Sequence, residues 1–230
     1  HVSPGWVDMY ATFGEPGNEH KADVESGLNA AAHGGFSNVA VSPVSVSPVD
    51  NKSTVEYLLK KAENHTTTLL PIGASTKGLN GKELADVFDM QNAGAVAVSN
   101  GKQTIGNSQI QNLSLLYSKN LNIPIYSFCE DANFASGGQI HEGAVNTSIG
   151  LKGVPSLAEE LVVARDIYLS EYTDTPIHFS HITSKESVEL IRAAKAKGVK
   201  ITASVPVNHL LLTDEHTRDF DSNYKVSPPF

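Results

Sequence analysis

Short apolar runs recur along the chain at residues 6–9, 38–41, 67–72, 95–98, 123–127, 176–180 and 199–204. Each is brief and rich in Val, Ile or Leu, the pattern of strands buried on both faces. Between them the spacing becomes helical. Residues 23–33 are Ala-rich and stop at Gly34-Gly35, a helix C-terminal signal. Ser53-Thr54-Val55-Glu56 reads as a capping box opening the next helix. Helices over 82–92, ending at Gly94, and over 108–120 follow. Pro155-Ser156-Leu157-Ala158-Glu159 opens the longest helix with a second capping box, and Leu157, Leu161, Ala164 and Tyr168 form one apolar stripe along it. Thr183-Ser184-Lys185-Glu186 caps the last clear helix, which ends at Gly198.

Seven β units joined by helices predict an α/β fold with a parallel sheet and right-handed crossovers. Seven in succession point to a TIM-type (β/α)8 barrel rather than an open sheet, occupying residues 1–230 as one domain. An eighth strand is not visible. A barrel that does not close leaves two unpaired edges, so the expectation is a longer chain or another segment that fills the gap.

Composition narrows the functional classes. The net charge is -8 and no basic patch stands out, which argues against nucleic acid as a partner. The single cysteine, Cys129, allows no intrachain disulfide and suits a reducing compartment. No apolar run reaches transmembrane length, and His1-Val2-Ser3-Pro4-Gly5 does not read as a signal peptide. A cytoplasmic protein without membrane contact is expected.

One stretch carries more. Residues 4–21 contain Pro4-Gly5-Trp6-Val7-Asp8, then Glu15-Pro16-Gly17, then Glu19-His20-Lys21. Further along stand Thr76-Lys77-Gly78-Leu79-Asn80-Gly81, Ser136-Gly137-Gly138, Glu142-Gly143 and Val163-Ala164-Arg165-Asp166-Ile167. Ser187-Val188-Glu189-Leu190-Ile191-Arg192, His209-Leu210-Leu211-Leu212-Thr213-Asp214-Glu215 and Asn223-Tyr224-Lys225-Val226-Ser227-Pro228-Pro229 complete the series. In this order the segments resemble the dihydroorotases of the metal-dependent amidohydrolase superfamily, whose barrel opens with a pattern close to P-G-F-V-D-x-H-x-H-x-R-E-P-G-x-E-H-K. The resemblance implies a zinc-dependent hydrolase barrel flanked by a small β-sandwich built from both termini; that sandwich and the last barrel strand, with its catalytic aspartate, are not visible here.

The departures concern the residues that do the chemistry. Two strand histidines at i and i+2 share a face and reach one metal; Tyr10 and Thr12 stand at those positions. The arginine that pairs with the substrate carboxylate corresponds to Gly14, which offers no bidentate contact. The resemblance places the acidic ligand after the fourth strand at Asn100 and a histidine ligand at Phe128. Substrate-holding asparagines correspond to the loop around Val46 and to Ser227. His181 alone matches a ligand position; His178, three residues back, faces the other side of a strand. A di-zinc centre needs several histidines and carboxylates to acidify its bridging water, so no cofactor is expected.

Other residues receive plainer readings. His20 and Lys21 hold the loop after the first strand, Glu15 caps or pairs locally, Asp8 is structural and Cys129 is a small buried side chain. Glu130 and Asp131 lie near the barrel mouth, and Asn80-Gly81 and Asn100-Gly101 read as turns. The favoured reading is a dihydroorotase-like protein of de novo pyrimidine biosynthesis, catalytically degenerate, with a structural or assembly role. The resemblance implies aspartate transcarbamoylase as a partner, or self-association. An active cyclic amidohydrolase with an altered metal site and a barrel reused for another small molecule remain as alternatives.

Overall fold

The computed structural model describes residues 2–230, so the reading of the chain start at His1 lies partly outside it. The chain forms two compact units, one ending at Tyr126 and one spanning Ser127–Phe230.

The first unit is a repeated strand–helix wrap. Strands β1 (Trp6–Ala11), β2 (Phe36–Val41), β3 (Thr68–Ala74) and β4 (Ala97–Ser99) pair in chain order, every pair parallel. Strand β5 (Ile125–Phe128) begins in this unit, with Ser99 opposite Tyr126. The connections are α1 (Val24–His33), α2 (Lys52–Lys61), α3 (Val87–Ala93) and α4 (Ser108–Leu121). Ala40, Ile72 and Ala97, one from each of β2, β3 and β4, meet on one face of the sheet, with Tyr10, Leu70 and Tyr126 against them. On the opposite face Gly73 leaves space that the Met90 side chain of α3 fills.

The second unit contains the end of β5, α5 (Ala132–Ala135), the two-residue strands β6 (Ile140–His141) and β7 (Gly153–Val154), and α6 (Ala144–Ile149) between them. The long α7 (Leu157–Thr173), β8 (Ile177–Ser180), α8 (Lys185–Ala196) and β9 (Ile201–Ala203) follow. Strand β8 pairs with β9 in parallel, and Ser180 Oγ donates to the Ser127 carbonyl of β5 at 3.2 Å.

All seven expected strands form. The small β6–β7 pair is additional, because two residues are too short to leave a periodic signal. Several local expectations need correction. Strand β1 is not buried on both faces: Trp6, Val7 and Met9 are all exposed. Residues 82–86 are not helical, since Leu84 bridges Thr76, Lys77 N–H donates to the Glu83 carbonyl and Ala85 N–H to that of Ser75. Helix α2 is capped by Asn51, whose Oδ1 accepts from the Thr54 N–H at 3.1 Å, not by Ser53. Ser156 makes no side-chain cap on α7, and Ser184, rather than Thr183, caps α8 through the Ser187 N–H at 3.1 Å.

Helix α7 also differs in orientation. Amphipathic helices turn their apolar stripe to the core, but Leu157, Leu161 and Tyr168 are exposed here. The inward face is Ala158, Glu159, Val162, Val163, Asp166, Ser170 and Thr173. Polar residues are admitted because each has partners. Asp166 accepts from Ser127 Oγ at 2.6 Å and pairs with Arg165 at 2.7 Å, and Ser170 Oγ donates to the Thr175 carbonyl at 2.7 Å.

Candidate functional site

In parallel α/β folds the C-terminal ends of the strands and the loops beyond them form the functional face. In the first unit, Tyr10 lies near the end of β1. Its hydroxyl accepts from Ser42 Oγ at 3.1 Å and also bonds Ser99. Ser42 and Ser99, at the ends of β2 and β4, are both buried. Burial raises the Tyr10 phenol above its ordinary value although the two serine hydrogen bonds oppose it. Tyr10 is therefore a protonated hydroxyl at neutral pH, with neither the charge nor the lone-pair basicity of a ligand imidazole. Thr12, two residues on, is exposed.

Asn100 is buried and committed. Its Oδ1 accepts from Thr76 Oγ1, and its Nδ2 donates to the carbonyls of Leu79 at 3.2 Å and Gln103 at 3.1 Å. It ties the turn after β4 to the loop after β3, and a carboxylate there would have no hydrogens to donate.

Gly14 is shaped by close approach. A Cβ built on it would collide with the backbone carbonyls of Asn18 and Ala22, and its own N–H donates to the Ala22 carbonyl at 2.9 Å. The loop has folded onto the space a side chain would need. Next to it, Glu15 is buried and accepts from Tyr57 Oη, from the Val24 N–H at 2.9 Å and from Lys61 Nζ at 3.2 Å. Burial pushes its carboxyl up, but these partners together outweigh burial and hold it below the usual range. Glu15 thus anchors the loop, as expected, whereas His20 and Lys21 are exposed. Val46, in the loop after β2, is 63% exposed and packs against Gly17. Asp8 Oδ1 accepts from the Tyr10 N–H at 2.9 Å, a local backbone role.

In the second unit, Phe128 at the end of β5 is buried and meets the edge of His181 at a ring separation of 6.1 Å. His181 follows β8 with φ 62°, so it has left the strand's alternation. His178 sits within β8. Its Nδ1 is 2.8 Å from Thr202 Oγ1 and its Nε2 is 3.1 Å from Ser204 Oγ, and burial lowers its pKa below the ordinary value of 6.5. Burial, then the charge of Asp166, raises the Cys129 thiol well above the ordinary range, which suits an inert core residue. Asp131 caps α5 by accepting from the Asn133 N–H at 2.8 Å. Ser227 is exposed.

A cavity of about 230 Å³ lies wholly in this unit, bounded by Cys129, Glu130, His141, Glu159, His209, Asp214 and Phe230 among others. Glu159 is already used: its carboxylate accepts from the Thr183 N–H and Oγ1, both at 2.9 Å, and from the Ser184 N–H at 3.0 Å. Among the described residues that line the cavity there are two histidines, His141 and His209, and no lysine or arginine. Sequence reasoning missed Ser42, Ser99 and Glu159. The serines are two residues beyond Ala40 and Ala97 on the same strand face, a spacing that would have located them.

The dihydro-orotase-like family profile matches residues 1–187. The chain belongs to the dihydroorotase-like family. Among curated relatives, the dihydroorotase of Acetivibrio thermocellus is 44% identical over 99% of this chain and 54% of its own length. That of Caldicellulosiruptor saccharolyticus is 42% identical over 99% and 53%. This dihydroorotase-like chain therefore spans about half the length of the curated relatives it matches. Among solved structures, L-hydantoinase (dihydropyrimidinase) from Arthrobacter aurescens superposes with a TM-score of 0.81 at 19% identity, over 98% of this chain and 52% of that one. Dihydroorotase from Saccharomyces cerevisiae, in complex with 5-fluoroorotic acid, gives 0.64 at 19% identity, over 96% and 60%. These likenesses show the expected α/β barrel-type fold, and the main sheet has seven strands among the described residues.

Zinc, the metal the family resemblance implies, takes thiolate, imidazole or carboxylate donors. A phenol bound to two serines, an exposed threonine, a saturated amide and a buried phenylalanine do not fit it. Among the described residues no three His, Cys, Asp or Glu side chains gather so as to hold a metal ion.

Proposed function

We propose that this dihydroorotase-like chain is a catalytically degenerate member of de novo pyrimidine biosynthesis that acts in the cytoplasm as a structural or assembly partner, with aspartate transcarbamoylase as the protein it holds. The observation that carries the reading is the commitment of the substituted side chains. Tyr10 is bonded to Ser42 and Ser99, and Asn100 to Thr76, Leu79 and Gln103. Such groups stabilise the barrel ends rather than wait for a metal or a substrate. Gly14 adds that the loop has closed over the volume of a carboxylate-binding side chain.

The test is metal content of the zinc-incubated, dialysed chain, with dihydroorotase activity assayed on the same sample and capture of aspartate transcarbamoylase from the same organism measured alongside. Metal far below one equivalent, no turnover and a stable complex are expected. The second reading, an active cyclic amidohydrolase with an altered site, draws on relatives at 44% and 42% identity that are named dihydroorotase. About two bound zinc ions with turnover would establish it and overturn the first.

A further inference from the structure

The cavity of the second unit has no part in the function proposed above. Phe128, His181 and Ser227, the positions in this unit that the family resemblance assigns to metal and substrate, do not line it. Its lining divides by chemistry. Phe230, Leu212, Val154 and Pro228 form an apolar wall, and Glu130, Glu159 and Asp214 bring carboxylates. Carboxylates in a partly enclosed space with no lysine or arginine beside them set a negative potential that favours a cation.

His209 gives the sharper sign. Its Nε2 lies 3.2 Å from the Pro229 carbonyl, and a carbonyl only accepts, so Nε2 carries the hydrogen. The neutral ring then presents a lone pair at Nδ1. That atom is buried and has no hydrogen-bond partner. The ring is packed on Phe230 at a centroid separation of 4.7 Å, which holds it in this orientation. Buried polar atoms as a rule have partners, so a hydrogen donor from outside the chain is called for. Asp214 offers a second acceptor. Its Oδ2 and the His141 Cδ2 are both 3.9 Å from the place a Cβ would take on Gly143, so the two side chains converge there. Arg218 feels the Asp214 charge, but its guanidinium is held by Glu215 and by Ser148 Oγ. Glu159, by contrast, is already used by Thr183 and Ser184.

We propose that this cavity binds a small organic cation, an ammonium group on one ring or a short apolar chain. The ammonium is drawn to the Asp214 carboxylate and donates to His209 Nδ1, while the apolar body lies against Phe230 and Leu212. Size supports a molecule of this class. The cavity holds about 230 Å³, below the roughly 300–1,000 Å³ of pockets for drug-sized ligands and above the roughly 150 Å³ that accommodates benzene. A lone metal ion does not fit, because among the described residues no three His, Cys, Asp or Glu side chains gather to hold one. His209 also borders a groove of about 450 Å³ beside α8 and β9, but that groove is lined by Lys185 and no carboxylate, so the cation is directed to the cavity. The binding is independent of zinc and of hydrolase activity.

NMR titration of the chain with benzylamine, benzyl alcohol and benzoate tests this, since the three probes share one ring and differ in charge. The expected result is a dissociation constant for benzylamine about tenfold or more below those of the other two, with a shift of the His209 Nδ1 resonance as it binds. Asp214→Asn should weaken benzylamine about tenfold. Asp219→Asn, which removes the same charge from an exposed position outside the cavity, should leave it unchanged. The comparison of probes uses the unaltered chain, so it stands even where a variant fails to fold. Benzyl alcohol or benzoate binding as well as benzylamine overturns the proposal. So does an equal loss in Asp214→Asn and Asp219→Asn, which reduces the effect to diffuse charge. Absence of benzylamine binding with an unmoved Nδ1 resonance also overturns it and leaves water as the partner of His209.

Discussion

Asn100 ties the turn after β4 to the loop after β3. Replacing it with alanine leaves the Leu79 and Gln103 carbonyls and the Thr76 hydroxyl without their shared partner, a cost of about 1–3 kcal/mol for buried groups left unsatisfied. Asn100→Asp, which restores the family's acid, should destabilise by at least as much, because a carboxylate faces two carbonyls it cannot donate to. Urea denaturation of both variants measures this. His178 gives a pH dependence. Its folded pKa lies below the ordinary 6.5, so between those values the unfolded chain holds the extra proton and folding is penalised. Its contribution is complete above about pH 6.5 and declines as the pH falls through the lowered folded value. Urea midpoints should drop between neutral and mildly acidic buffer, and His178→Gln should flatten that drop.

At the scale of elements, the caps separate two readings of one helix start. Asn51→Ala should cost about 1 kcal/mol of stability and Ser53→Ala little, since Asn51 holds the Thr54 N–H; thermal melts of the two variants decide it. Most of the strands were legible because their burial leaves short runs of Val, Ile, Leu and Ala, β1 being legible despite its exposed residues, and the αL glycine at Gly94 located the end of α3. The start of α3 was not, because residues 82–86 pair backwards with 75–77 through backbone groups that carry no sequence signal. The capping box at Ser156 misled for a related reason: Glu159, its acidic member, is drawn to Thr183 and Ser184, 24 and 25 residues away, so a long-range pull overrides a local motif. The stripe on α7 was readable as a stripe but not as to which side it faced, since Asp166 and Glu159 are buried only by virtue of partners elsewhere in the chain. For the candidate site, the resemblance indicated which family positions Tyr10, Gly14, Asn100 and Phe128 correspond to. It did not display what those side chains do, because the bonds of Tyr10 to Ser42 and Ser99 exist only once β1, β2, β3 and β4 lie side by side.

Across the whole molecule, the substitutions act together. Placing histidines at both first-strand positions, Tyr10→His with Thr12→His, should still leave zinc far below one equivalent by elemental analysis, because Asn100 keeps its bonds and the loop at Gly14 keeps its closed form. Gly14 has the longer reach. Any side chain introduced there meets the Asn18 and Ala22 carbonyls before it meets solvent, an overpacking that costs about 1–3 kcal/mol. A substitution to arginine at position 14 is therefore harmful when it arises, whatever the new side chain could later contribute to binding. The loop must first move aside, which disrupts the hydrogen bonds from the Gly14 N–H to the Ala22 carbonyl and from the Asn18 N–H to the Gly14 carbonyl. Position 14 thus works as a ratchet: the surrounding loop holds glycine there and opposes every larger side chain one substitution at a time.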